Sequence, residues 1–141
     1  MTVGTLMTAD PVCCTPETTI KDVALLMAQH DCGEIPVVRA QDDRRILGVI
    51  TDRDIVCRVV AAGENPTGAI VEDAMSSPVV TVRSDSSLQD CLNLMESRQI
   101  RRMPVVDADE RCCGIVSQAD IAANAPSAET AELVREVSRQ S

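Results

Sequence analysis

Two short runs carry the residues best placed to do chemistry: Thr51-Asp52-Arg53-Asp54 and Ser117-Gln118-Ala119-Asp120. Each follows an apolar strand-like run and opens a helical one, with a hydroxyl three residues before a carboxylate. The first turn of a helix presents unpaired amide donors that suit a phosphate, and the hydroxyl of Thr51 or Ser117 adds to them. A carboxylate would repel phosphate, so Asp54 and Asp120 fit a different task. Accepting two hydrogen bonds from a ribose diol is the natural one. The same pattern is also close to a capping box, which would explain either copy by helix formation alone.

Little else in the chain has catalytic spacing. There is no P-loop, nucleotide-binding glycine fingerprint or nucleophile elbow. His30, the single histidine, closes a helical pattern, where a cation complements the helix dipole, and reads as structural. The seven cysteines lack the Cys-x2-Cys spacing of a zinc site. Cys13-Cys14 and Cys112-Cys113 are vicinal pairs, and neighbours on a strand point to opposite faces, so one member of each pair is expected to be reachable. This motivates a rival reading, a redox or stress-response protein that acts through thiols without a nucleotide.

The elements that must position the two motifs come as a duplication. Val3–Met7 is echoed by Val71–Met75, Ile35-Pro36-Val37-Val38 by Met103-Pro104-Val105-Val106, and Gly48–Ile55 by Gly114–Ile121. The offset is 68 (75 less 7, 104 less 36), falling to 66 at the closing motifs (120 less 54). A long period present twice points to two similar modules packed as a pair, with a cleft between halves as the natural ligand site. Ile20, Val23, Ala24 and Met27 form one helical face, repeated by Leu88, Cys91, Leu92 and Met95. Pro36–Val38 and Ile46–Ile50 read as strands joined by the charged turn 41–45. Pro104–Val106 and Cys112–Val116 read likewise, joined by 107–111. The boundaries expected are 1–62 for the first repeat, 63–70 for a linker, 71–125 for the second and 126–141 for a helical tail.

With 141 residues, 45% of them apolar, the chain can bury a sizeable core, and without Phe, Tyr or Trp that core is aliphatic and thiol-rich. A net charge of −9 disfavours nucleic acid and anionic membranes as partners. No run is long enough to span a bilayer and Met1–Pro11 has no basic leader, so a cytoplasmic protein with free thiols is expected.

Repeats closing in Gly-x-x-Thr/Ser-x-x-Asp resemble a pair of cystathionine-β-synthase (CBS) domains, a Bateman module, over residues 3–123, and most of all stand-alone two-CBS proteins. The resemblance implies an α+β fold of two βαββα units in a pseudo-two-fold pair. It implies a non-catalytic regulatory module binding AMP, ADP, ATP, NAD or S-adenosylmethionine between its units, with no required cofactor and no metal. Energy sensing, stress response, a homodimer and an unknown protein target go with it. By resemblance, Thr51, Asp54, Ser117 and Asp120 grip phosphate and ribose. Val12 and Cys13, or Val79 and Val80, meet the base, and Ile35 and Met103 close over the adenine beside Pro36 and Pro104. The halves differ: Arg101 and Arg102 stand where the first repeat has Gly33 and Glu34, so a phosphate is expected to prefer the second site, with Arg53 partly compensating in the first. A purely structural dimer with empty clefts is the remaining alternative.

Overall fold

The computed structural model describes residues 1–124; the expected helical tail at 126–141 lies outside the described residues. Elements follow in chain order as α1 (Val3–Leu6), β1 (Thr8–Ala9), α2 (Ile20–His30), β2 (Glu34–Ala40), β3 (Asp43–Thr51) and α3 (Asp52–Ile55). A π-helical segment, Val56–Val60, continues α3, and then come α4 (Val71–Ala74), β4 (Val82–Arg83), α5 (Leu88–Arg98), β5 (Arg102–Val106), β6 (Cys112–Ser117) and α6 (Gln118–Asn124).

The two long helices start and stop by the same devices. Thr19 caps α2 by accepting from the Asp22 amide at 3.2 Å, and Ser87 caps α5 by accepting from the Asp90 amide at 3.1 Å. Both helices end on a left-handed residue without being glycine, Asp31 (φ 49°) and Gln99 (φ 53°).

The chain divides into two compact units that cross the repeat boundaries. Among the described residues, one contains 1–10, 80–109 and 113–124; the other contains Pro11–Val79 and Glu110–Cys112. Each repeat's opening helix thus belongs to the unit built on the other repeat. The cause is apolar: Val3 of α1 is fully buried among Val82, Cys91, Leu92, Met95, Met103 and Ile121, while Val71 and Ala74 of α4 are buried among Ile20, Val23, Ile35 and Ile50. Burying one valine contributes about 1.5–3 kcal/mol, enough to fix a four-residue helix that has little stability alone.

The unit holding the second repeat has a four-stranded sheet, β1-β6-β5-β4, with β1 antiparallel to β6 and β4 parallel to β5. The other unit has the β2-β3 hairpin, antiparallel with register shifts around Val38. Its flanking contacts are single bridges that repeat the same register: Cys14↔Val37 matches Val82↔Val105, and Val49↔Ser76 matches Thr8↔Ile115. At Cys14 the chain thus contributes one parallel bridge rather than a strand. The expected five-residue turn at 41–45 shrinks to Gln41-Asp42, because pairing continues out to Ala40↔Asp43. In the second repeat the turn keeps its expected extent, 107–111.

Glycine is needed where an opening segment crosses a strand. A Cβ on Gly48 would stand 2.5 Å from the Ser76 carbonyl oxygen, and one on Gly114 would meet Met7 Sδ and stand 3.0 Å from the Thr8 oxygen. The cores are aliphatic as expected: Ile20, Ile35, Ile50, Met95, Met103 and Ile121 are the largest fully buried side chains.

Candidate functional site

In the unit built on the first repeat, β3 runs directly into α3 at Thr51. Thr51 Oγ1 accepts from the Asp54 amide at 3.0 Å, and Asp54 Oδ2 accepts from the Thr51 amide at 3.0 Å, a complete capping box. The carboxylate has further partners. Ser76, brought to β3 by backbone bonds to Val49 in both directions, donates its hydroxyl to Asp54 Oδ1 at 3.3 Å and Oδ2 at 3.4 Å. Arg58, one helical turn on, places Nε 3.9 Å from Asp54 Oδ1 and donates through Nη1 to the Ala74 and Met75 carbonyls at 3.3 and 3.1 Å. The Asp54 side chain is left 12% exposed.

The unit built on the second repeat carries the matching corner. Ser117 Oγ accepts from the Asp120 amide at 3.1 Å, and Asp120 Oδ2 accepts from the Ser117 amide at 3.1 Å. The Gln118 amide donates to the Arg101 carbonyl at 2.7 Å, as Asp52 donates to Gly33 at 2.9 Å in the other unit. That bond ties the backbone of the Arg101-Arg102 pair to the corner. Both arginines are exposed, as is Arg53, whereas Glu34 is buried opposite Thr51 in the β2-β3 register. Arg58's counterpart is Asn124 (124 less 58 is 66), which donates to the Asp120 backbone oxygen at 2.8 Å.

Both motifs thus hold a hydroxyl, a carboxylate and a helix start together, in the same register and in duplicate. The CBS domain model matches the sequence twice, at residues 3–61 and 71–127. This chain belongs to the CBS family. Among curated CBS-type relatives, the chain is 36% identical to hypoxic response protein 1 of Mycobacterium tuberculosis over 132 residues, 94% of this chain and 90% of that one. It is equally identical, at 36%, to a Methanopyrus kandleri protein, MK0525, of which it spans 61%. Of solved structures, that of hypoxic response protein I with two coordinated zinc ions matches with a TM-score of 0.80 at 36% identity, covering 89% of this chain and all of that one. CBSX2 in complex with AMP matches with a TM-score of 0.75 at 26% identity, covering 89% of this chain and 96% of that one.

Several residues expected at a ligand face lie instead in the CBS cores. Ile35 is wholly buried and Met103 is 1% exposed, so neither offers surface to an adenine; Pro36 and Pro104 are buried beside them. The reason is the hairpin: Ile35 pairs with Ile50, and that face of the sheet is covered by α2 and α4 side chains. Cys13 is likewise buried, against Val38 and Cys112, with the Arg44 guanidinium at 2.7 Å from its Sγ. Val12, Val79 and Val80 remain half-buried.

The expectation of one reachable thiol in each vicinal pair is corrected for the first pair. Cys13 and Cys14 are both buried, because the strand-like run at Cys14 is covered on both faces by different apolar clusters. In the second pair Cys112 is buried and Cys113 half-buried; the exposed thiol is Cys57, on the π-helical segment. Burial pushes the Cys14 thiol up to about 12 and Cys91 to about 11, and raises Cys113, against an ordinary value of 9.0. Among the described residues no group of three or more His, Cys, Asp or Glu side chains could hold a metal ion, and no helix is long and apolar enough to cross a membrane.

Residue spacing pointed to Thr51, Asp54, Ser117 and Asp120 but passed over Ser76 and Arg58. The i, i+4 spacing of Asp54 and Arg58 on one helical stretch was a usable signal. Ser76 had none, since its approach depends on the second repeat's opening segment packing with the first.

Proposed function

We propose that this CBS pair is a regulatory, non-catalytic module that binds an adenosyl ligand through its closing motifs and signals by a change of shape or partner affinity. The observation that carries the reading is the duplicated hydroxyl–carboxylate corner, Thr51/Asp54 and Ser117/Asp120, in which the carboxylate suits a ribose diol and the hydroxyl, which accepts from an amide and keeps its own proton to donate, suits a phosphate. The AMP complex of CBSX2 supports an adenine nucleotide as ligand. The candidates are AMP, ADP, ATP, NAD and S-adenosylmethionine. Ligand binding biases the module only through its differential affinity for two states, so ligand level is transmitted as a population shift to a protein target.

A role in stress response is supported by the likeness to hypoxic response protein 1. Homodimerisation is supported by exposed apolar side chains on helical segments of the first-repeat unit, Leu25, Val56 and Val60 at 49%, 57% and 60% exposure. Cytoplasmic residence suits seven cysteines that form no disulfide among the described residues.

The test is a thermal-shift panel of the five candidates with guanine analogues as controls, read with an external dye. A ligand at a hundred times its dissociation constant adds about 2.7 kcal/mol, a rise of about 9 °C for a chain of this size. One adenosyl ligand is expected to shift the melt while its guanine analogue does not; a flat panel would sink the reading. Arg102→Glu is expected to weaken the shift given by a phosphate-bearing ligand, and an unchanged shift would remove the arginine pair from the site.

A further inference from the structure

The two closing motifs have the same hydroxyl and carboxylate but not the same surroundings. The carboxylate of Asp54 accepts from the Thr51 amide, from the Ser76 hydroxyl through both oxygens, and sits 3.9 Å from Arg58 Nε. Asp120 accepts from the Ser117 amide through Oδ2, and among the described residues its carboxylate has no further side-chain partner. The difference is written in two positions. Where the first repeat has Arg58, the second has Asn124, whose amide turns to the Asp120 backbone oxygen and leaves the carboxylate alone. Where Ser76 donates to Asp54, the counterpart Thr8 (76 less 8 is 68) crosses β6 in the same register yet makes no hydrogen bond to Asp120.

A second observation lies at the same corner. Gln118, between Ser117 and Asp120, has a buried amide oxygen with no hydrogen-bond partner among the described residues. A buried acceptor in that state is costly, and a hydroxyl or amino donor that reaches it gains a bond without displacing one. The position matching Gln118 in the first repeat is Asp52, which is exposed.

We infer that the module loads asymmetrically: Asp120 takes the ribose diol of the first ligand, while Ser76 and Arg58 occupy Asp54 as an internal substitute and hold the first-repeat motif in reserve. This rests on the adenosyl reading and extends it to order of occupancy. A ligand at Asp54 must displace the bifurcated hydrogen bond from Ser76 and weaken an ion pair, whereas among the described residues no side chain competes for the Asp120 carboxylate. Each hydrogen bond to a charged group is worth roughly ten- to a hundredfold in an equilibrium constant. Ser76 and Arg58 are therefore positioning residues that set relative affinity.

The experiment is isothermal titration of the whole chain with AMP and, separately, with S-adenosylmethionine. The wild type is expected to show one tight step. Asp120→Asn is expected to weaken that step roughly ten- to a hundredfold, and Asp54→Asn to leave it within about threefold. The double variant Arg58→Asn with Ser76→Ala, which spares both reciprocal hydroxyl–carboxylate pairs, is expected to show a second step strengthened about tenfold or more. Thermal melts of each variant confirm folding, and the double variant reads the same claim should either Asn variant fail to fold. Loss of the tight step in Asp54→Asn but not in Asp120→Asn, or two steps of equal affinity in the wild type, would overturn the asymmetry while leaving the adenosyl reading intact. Absence of binding by both probes would overturn the asymmetry, and only a flat thermal panel across all five candidates would overturn the adenosyl reading with it.

Discussion

Single side chains in this protein are tuned mainly by what covers them. Asp54 and Asp120 come from the same motif, yet a serine from a distant segment and an arginine one turn along give only the first a full set of partners. The thiols show the same effect through solvent. With Cys14 at about 12 and Cys91 at about 11 in the folded chain, both stay protonated where an exposed thiol ionises near 9.0. A folded pKa above the unfolded one means stability present in full below pH 9 and lost as pH rises through 11 to 12, because the unfolded chain releases protons that the folded chain holds. The denaturant midpoint is accordingly expected to fall between pH 8.5 and 10.5, in about that range, and Cys91→Ala to flatten the decline. A midpoint that stays level across the range would contradict the burial of these thiols.

At the scale of elements, tight crossings matter more than propensity. Each opening segment lies against a strand of the other repeat's body, and only a glycine lets the backbones meet. Gly48→Ala sets a Cβ against the Ser76 carbonyl and is expected to destabilise the chain by about 1–3 kcal/mol, seen as a lower melting temperature. An unchanged melt would mean that the Ser76 segment does not rest on β3. The long helices and the hairpin strands were legible from periodicity, because that signal is local. The two compact units were not, since what assigns Val3 to one core and Val71 to the other is packing over long sequence separation. For the same reason Ile35 and Met103 were misplaced at a ligand face. A residue before proline at a strand start looks the same whether its strand faces a ligand or a core, and pairing with Ile50 decided it for Ile35.

For the whole molecule, duplication is the organising fact. Two CBS units repeat the same strand registers and the same hydroxyl–carboxylate corner, and differ at a few charged positions: Arg58 against Asn124, Glu34 against Arg102, Gly33 against Arg101. With a net charge of −9, an anionic ligand meets an unfavourable overall field and depends on such local cations. Equal scaffolds with unequal charges are suited to graded rather than all-or-none loading. The central claim, that the closing carboxylates recognise a ribose diol, is tested most directly by comparing AMP with 2′-deoxy-AMP in the same direct-binding assay. Removing one hydroxyl leaves adenine and phosphate untouched. The account predicts at least about tenfold weaker binding of the deoxy form to the wild type, with the difference abolished in Asp120→Asn. Equal affinity for the two nucleotides in the wild type would contradict it.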